Sequence, residues 1–169
     1  ATLSALRRRL RDDPRYRLVS SLADLDAARA QGQLALSFDI EGAVALNRDP
    51  GMVALFKALG VNQMLLAYNR NSPAAGGCHD GDSGLTALGR EIIAEMNRSG
   101  MILDLTHMGA KSALQAMEAT SRPAIFSHSN ASSVHPHARN ISDDLIRACA
   151  AQGGVIGVCL LYTSDAADE

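Results

Sequence analysis

The chain has 169 residues, enough for one compact domain, and its 47% hydrophobic and 20% charged content excludes a disordered tract. A net charge of -2 gives no electrostatic case for a nucleic-acid partner or an anionic membrane. No apolar run approaches the ~20 residues of a membrane-spanning helix, so no transmembrane segment is expected.

In chain order, Leu3, Leu6 and Leu10 recur at helical spacing ahead of Pro14, and Arg7-Arg8-Arg9 with Arg11 reads as a solvated helix face beside Asp12 and Asp13. Ser21-Leu-Ala-Asp is a capping box opening a second helix, with Gly32 as its stop. Residues 33–40 are predicted to form the first clear strand. Asp49-Pro50 reads as an N-cap followed by proline at the first helical position, and Gly60 closes that helix. A strand over 61–67 and a glycine-rich loop over 69–85 follow. Residues 86–99 form a helix burying Leu88, Ile92, Ile93 and Met96, stopped by Gly100. The rest reads as a strand over 101–106, a helix over 110–119 and a strand over 123–127. A helix capped by Ser142-Asp-Asp then runs to 151, and another strand starts at Gly153.

About five strands separated by helices are the signature of βα units and a parallel sheet, so the fold class is α/β. No glycine-rich phosphate fingerprint follows a strand, which removes support for a doubly wound nucleotide-binding fold. A partial (β/α)8 TIM barrel fits better, since a whole one takes eight units and typically ~250 residues. Residues 1–158 are assigned to this partial barrel. Residues 159–169 are set apart, because their back-translation resembles a transposon-adapter end from sequencing libraries, read through in frame. Cys78, Cys149 and Cys159 are odd in number and lack paired spacing, so neither a disulfide framework nor a Cys-based zinc site is expected. A reducing compartment, the cytoplasm by default, is the expectation. The chain starts at Ala1, so the absence of a visible leader leaves the compartment open.

Three chemistry-bearing residues each close a short apolar run. Glu41 ends Leu34-Ala-Leu-Ser-Phe-Asp-Ile-Glu, His107 ends Met101-Ile-Leu-Asp-Leu-Thr-His, and His128 follows Pro123-Ala-Ile-Phe-Ser. Imidazole and carboxylate are ligands that a zinc-like ion takes, and parallel strands bring their C-termini to one face. Alone, a strand-end glutamate is more often a cap or ion-pair partner, and a lone histidine a hydrogen-bonded core residue. Three at successive strand ends point to a metal. Other polar residues carry less. His79 reads as a solvated loop residue, His135 and His137 as surface, and Asp143 and Asp144 as a helix first turn. Asn130 and Asn140 read as loop ties. Asp104, three residues before His107, is expected on the opposite face in a structural role, while Asp39 shares the parity of Glu41 and is a neighbour of the site.

Longer motifs add a resemblance. Asp39-Ile-Glu-Gly, Gly60-Val-Asn-Gln-Met-Leu-Leu-Ala-Tyr-Asn-Arg-Asn, Gly84-Leu-Thr-Ala-Leu-Gly-Arg-Glu, Glu95 to His107, Phe126-Ser-His-Ser-Asn and His137-Ala-Arg-Asn-Ile-Ser-Asp-Asp resemble the renal, or membrane, dipeptidase family of zinc metallopeptidases, in order from about residue 33 to Val158. The resemblance implies an eight-stranded (β/α) barrel, a centre of two zinc ions and hydrolysis of dipeptides by a metal-bound hydroxide. It implies Glu41 as the bridging carboxylate, His107 and His128 as ligands of one metal, and Arg139 as a substrate-engaging arginine. Tyr68 stands where mammalian members carry a histidine near the substrate carbonyl, which puts that oxyanion role in question here. The family's His-x-Asp pair, which completes the other metal, does not precede Glu41, and no later-strand aspartate is matched. The expected partner is a dipeptide, with homo-oligomerisation open in the parent protein. Two other readings stand beside it: a metal-dependent amidohydrolase on another small amide or lactone, and a non-catalytic barrel fragment.

Overall fold

Helix caps and apolar spacing set most element boundaries. A computed structural model describes residues 3–161. The first helix, α1 (Leu3–Arg11), leads to a short strand, β1 (Tyr16–Leu18), that the sequence pattern did not reveal. Helix α2 (Leu22–Ala30) opens on the expected capping box. Ser21 Oγ accepts from the Asp24 amide while the Asp24 carboxylate accepts from the Ser21 amide. Four hydrogen bonds from Ser20 and Ser21 hold the Asp24 carboxyl well below its ordinary range, at about 2.

The strand expected over 33–40 is split. Its first part, β2 (Leu34–Leu36), pairs in parallel with β1. Its second part, β3 (Phe38–Glu41), pairs in parallel with β4 (Val61–Leu65), which pairs in parallel with β5 (Ile102–Asp104). The change of partner occurs at Ser37, beside a register shift between Phe38 and Asp39 that leaves Asn62 bulged. The Asn62 side-chain amide fills the gap, donating to Val19 O at 2.6 Å and Ser37 Oγ at 2.9 Å.

Other boundaries moved for local reasons. Helix α3 (Met52–Ala58) starts two residues beyond Pro50, because Asp49 Oδ1 accepts from the Gly51 amide at 2.8 Å and a turn precedes the first helical residue. Helices α4 (Ala87–Ser99), α5 (Ala110–Ala119) and α6 (Asp143–Ala151) match their predicted extents, with Thr86 and Ser142 capping the first and last. In α4, Ile92, Ile93 and Met96 are buried and Leu88 is half-buried. The strands expected over 123–127 and from 153 onward reduce to single parallel bridges, Asp104 with Ile125 and Phe126 with Ile156. Backbone bonds such as Leu105 N to Ile125 O and Phe126 N to Val155 O still carry the progression across.

The described residues therefore form a mixed α/β fold with two small parallel sheets, of two and three strands, and neither closes on itself. Helices α4, α5 and α6 pack in sequence beside the larger sheet, enclosing a core that includes Met64, Leu66, Leu103, Leu105, Ala116 and Phe126. Because the strands run parallel, their C-terminal ends share one edge. Among the described residues no helix is long and apolar enough to cross a membrane. All three cysteines are free. Of residues 159–169, Cys159 to Leu161 are described, and 162–169 lie outside the described residues.

The loop over 69–85 sits tightly on α4. A Cβ added at Gly89 would lie 2.2 Å from Ala74 O, the carbonyl that also accepts from the Thr86 amide. Helix propensity alone favours alanine over glycine by about 1 kcal/mol. The close approach reverses that sign, so Gly89→Ala is expected to destabilise the chain by about 1–3 kcal/mol in urea unfolding. A stabilised variant would show that the loop is not seated this way.

Candidate metal centre

Three strand ends bring their side chains to one point. Glu41 is the last residue of β3, half-exposed on the shared edge. His107 follows β5 by three residues, and His128 lies two residues beyond the Phe126 bridge. One ligand atom from each of the three lies within 4.8 Å of the others. His107 Nε2 is 2.9 Å from His128 Nε2, and His128 Nε2 is 3.8 Å from Glu41 Oε1. His107 holds this position in a left-handed backbone conformation, φ 70°, which costs on the order of 1–3 kcal/mol for a non-glycine residue. Such strain persists only where surrounding contacts fix it.

Those contacts come from the loop after β4. Tyr68 lays its ring on the His107 imidazole, with centroids 4.1 Å apart and planes 26° from parallel. Asn69 Oδ1 lies 2.7 Å from His107 Nδ1. The Cys78 amide donates to His107 O at 3.0 Å, and Gly109 N donates to Gly76 O. Gly77 lets the loop fold on itself, since a Cβ there would lie 2.2 Å from Asn69 O. On the other side, buried Arg139 brings Nη2 to 3.2 Å from His107 Nε2.

A guanidinium only donates, so His107 Nε2 is the acceptor in that contact and the ring proton sits on Nδ1, facing Asn69. Burial, then the Arg139 charge and then His128 push the His107 pKa down to about 3. His107 is thus a neutral imidazole with its lone pair on Nε2, the form that ligates metals. Burial pushes the neighbouring Cys78 thiol up, partly opposed by Arg139. The donor set, two imidazole nitrogens and a carboxylate, suits a divalent zinc-like ion. An ion on His107 Nε2 and the Arg139 hydrogen bond to the same nitrogen are mutually exclusive, so Arg139 would yield that nitrogen to a bound ion.

The structure therefore brings Glu41, His107, His128, Tyr68 and Arg139 together. His79 is exposed, its ring edge-on to that of His137 at 6.4 Å, and His135 is half-buried. Asp39 is exposed on β3, Asp143 and Asp144 occupy the first turn of α6, and Asn130 and Asn140 tie loops to backbone carbonyls. Asp104 differs from expectation in one respect. The strand ends at Asp104, so parity no longer carries to His107, and its carboxylate turns under the His128 segment. Asn69 and Ser127 were not singled out from sequence. Adjacency to His128 was the available signal for Ser127, and Asn69 had none beyond its place next to Tyr68.

A family model for the membrane dipeptidases, peptidase family M19, matches residues 1–165. The chain belongs to this family. Dipeptidase 3 of Rattus norvegicus is 32% identical over 165 residues, 94% of this chain and 33% of its own length. An uncharacterized dipeptidase of Schizosaccharomyces pombe is 36% identical over 137 residues, 78% of this chain and 33% of that protein. The chain spans about a third of the length of these curated relatives. Among solved structures, an amidohydrolase from Pseudomonas aeruginosa superposes with a TM-score of 0.89 at 35% identity, over 92% of this chain and 48% of that one. A metallo peptidase from Rhodobacter sphaeroides, liganded with a phosphinate mimic of the dipeptide L-Ala-D-Ala, gives 0.84 at 26% identity, over 92% and 46%. The M19 dipeptidases are peptide hydrolases, and the metal their class implies agrees with the donor set at this strand edge.

Asn69 gives this family member a checkable support for its strained histidine. Asn69→Ala leaves the buried Nδ1–H without its acceptor and is expected to cost about 1–3 kcal/mol in urea unfolding. Asn69→Asp keeps an acceptor and should lose much less. Equal losses for both would show that the hydrogen bond is not what holds His107.

Proposed function

We propose that this chain is the part of a zinc-dependent dipeptidase that supplies Glu41, His107 and His128 to the metal centre and Arg139 to the substrate, within a partial (β/α)8 barrel. The observation that carries the reading is the pair of imidazole nitrogens facing each other at 2.9 Å with a carboxylate 3.8 Å away. Two imidazole nitrogens and a carboxylate this close offer converging donors that a cation among them would draw into coordination. In the full-length protein Glu41, His107 and His128 would hold zinc together with a His-x-Asp pair that these 169 residues do not contain. Bound there, zinc would supply Lewis acidity toward a peptide carbonyl and toward water.

The chain's own residues do the rest. Glu41, half-exposed, presents two oxygens to the strand edge and can bridge. Arg139 offers a planar fork that grips a dipeptide carboxylate in two hydrogen bonds. The exposed Tyr68, fixed by stacking on His107, has a phenolic O–H available to an oxygen that gains negative charge. A phosphinate has the tetrahedral shape that a peptide carbonyl acquires on attack by water, so the L-Ala-D-Ala mimic in the Rhodobacter relative supports a dipeptide as substrate. The likeness to an amidohydrolase favours another small amide as the second reading. Residues 159–169 stand with this proposal as adapter-derived, and genomic sequence continuing unchanged past Val158 would remove that part.

Zinc added to the purified chain at about 100 times its dissociation constant should stabilise it by about 2.7 kcal/mol, a rise of roughly 5–10 °C in Tm that chelator reverses. His107→Ala, His128→Ala and Glu41→Gln should each abolish most of the rise. No zinc-dependent shift in the unaltered chain would end the metal reading. The 169-residue chain alone is expected to show negligible dipeptide turnover, whereas the full-length enzyme should cleave members of a dipeptide panel. Metal-dependent cleavage of small amides but no dipeptide would favour the second reading.

A further inference from the structure

His128 has no asparagine beside it, yet its Nε2 must also present a lone pair if it is to meet an ion. The answer lies one residue back and one strand over. His128 Nδ1 is 2.8 Å from Ser127 Oγ, and Ser127 Oγ donates to Asp104 Oδ2. Asp104 is buried, and its two oxygens accept from four donors. Oδ1 takes the amides of Thr106 at 3.0 Å and Ser127 at 3.1 Å, and Oδ2 takes Gln63 Nε2 at 3.0 Å and the Ser127 hydroxyl.

The direction of each bond follows from counting protons. A carboxylate surrounded by four donors is an acceptor only. The single Ser127 hydroxyl proton is therefore committed to Asp104, and Ser127 Oγ has only lone pairs left. One faces Thr106 Oγ1 at 3.3 Å, which must then be the donor, and the other faces His128 Nδ1. An unprotonated Nδ1 there would set lone pair against lone pair. Nδ1 therefore carries a proton, and Nε2, turned toward His107 and Glu41, is the nitrogen left to meet an ion.

We infer that Asp104, acting through the Ser127 hydroxyl, is a positioning residue that locks His128 in the Nδ1–H tautomer and so aims its Nε2 lone pair into the metal centre. The inference rests on the proposed centre for its purpose, but the tautomer itself belongs to the chain without metal. Hydrogen-bonded carboxylates behind a metal-ligating imidazole fix its tautomer and raise its basicity, and losing one typically weakens metal affinity about 10–100-fold. Here a serine hydroxyl is interposed, and the carboxylate sets its direction.

The test reads the ring protons directly, by two-bond proton–nitrogen NMR correlation on the chelator-treated chain with 15N-labelled histidine. In the unaltered chain His128 should be protonated at Nδ1. Ser127→Ala should give a mixture of tautomers and a zinc affinity, from chelator competition, lower by about 10–100-fold, whereas Ser127→Thr should retain both. Asp104→Asn should invert the tautomer, because an amide NH₂ in place of Oδ2 donates to Ser127 and turns its hydroxyl toward Nδ1. If Asp104→Asn does not fold, the serine pair carries the test. An Nε2–H tautomer in the unaltered chain, or Ser127→Ala with tautomer and affinity unchanged, would overturn the inference. Failure of the unaltered chain to bind zinc would instead sink the metal centre, while the tautomer comparison still decides this point.

Discussion

His107 Nε2 and His128 Nε2 face one another across 2.9 Å, and the surroundings of both rings hold that close approach. Asn69 holds the proton of His107 on the far side, and burial beside Arg139 keeps a second proton away. Each ring is fixed by partners on a different segment, so turning one away leaves a buried polar group unmet. The left-handed backbone at His107 is sustained because the contacts around it over-determine the geometry.

The parallel sheet is what makes the meeting possible. Residues about 66 and 21 positions apart in the sequence arrive at one edge because β3, β5 and the Phe126 bridge all run the same way. The segment from 68 to 85 then covers that edge, carrying Tyr68 and Asn69 against His107 at one end and seating on α4 and α5 at the other. Its path depends on backbone approaching backbone, and glycines at 76, 77 and 89 permit the close passages. A likeness in fold to a solved amidohydrolase and a solved metallo peptidase follows naturally from this arrangement.

Much of this was legible in the residues. Capping boxes and apolar spacing placed α2, α4, α5 and α6, and the rule that parallel strands share a functional edge singled out Glu41, His107 and His128. The unread parts depend on partners distant in sequence. Tyr16–Leu18 is a strand only because Leu34–Leu36 lies beside it. The split at Ser37 is set by the bulge at Asn62, 25 residues away. Asp104 was assigned by strand parity, which ceased to apply once the chain left the sheet. Asn69 carries no local mark, since an asparagine in a left-handed loop turn is ordinary until the imidazole above it is seen.

Leu34 to Glu41 is a single run of backbone serving two sheets, and this gives the small outer sheet a role beyond its size. Leu34–Leu36 is clamped to Tyr16–Leu18, while five residues on the same run delivers its carboxylate to the opposite edge. A one-residue slip in the outer pair must either be absorbed at the Ser37 joint or travel along the strand and withdraw Glu41 by roughly 3.3 Å. The Asn62 amide, fastened to Val19 and Ser37 together, blocks that travel like a pawl on a rack. The reach of the acid is thereby gauged from the far end of the molecule.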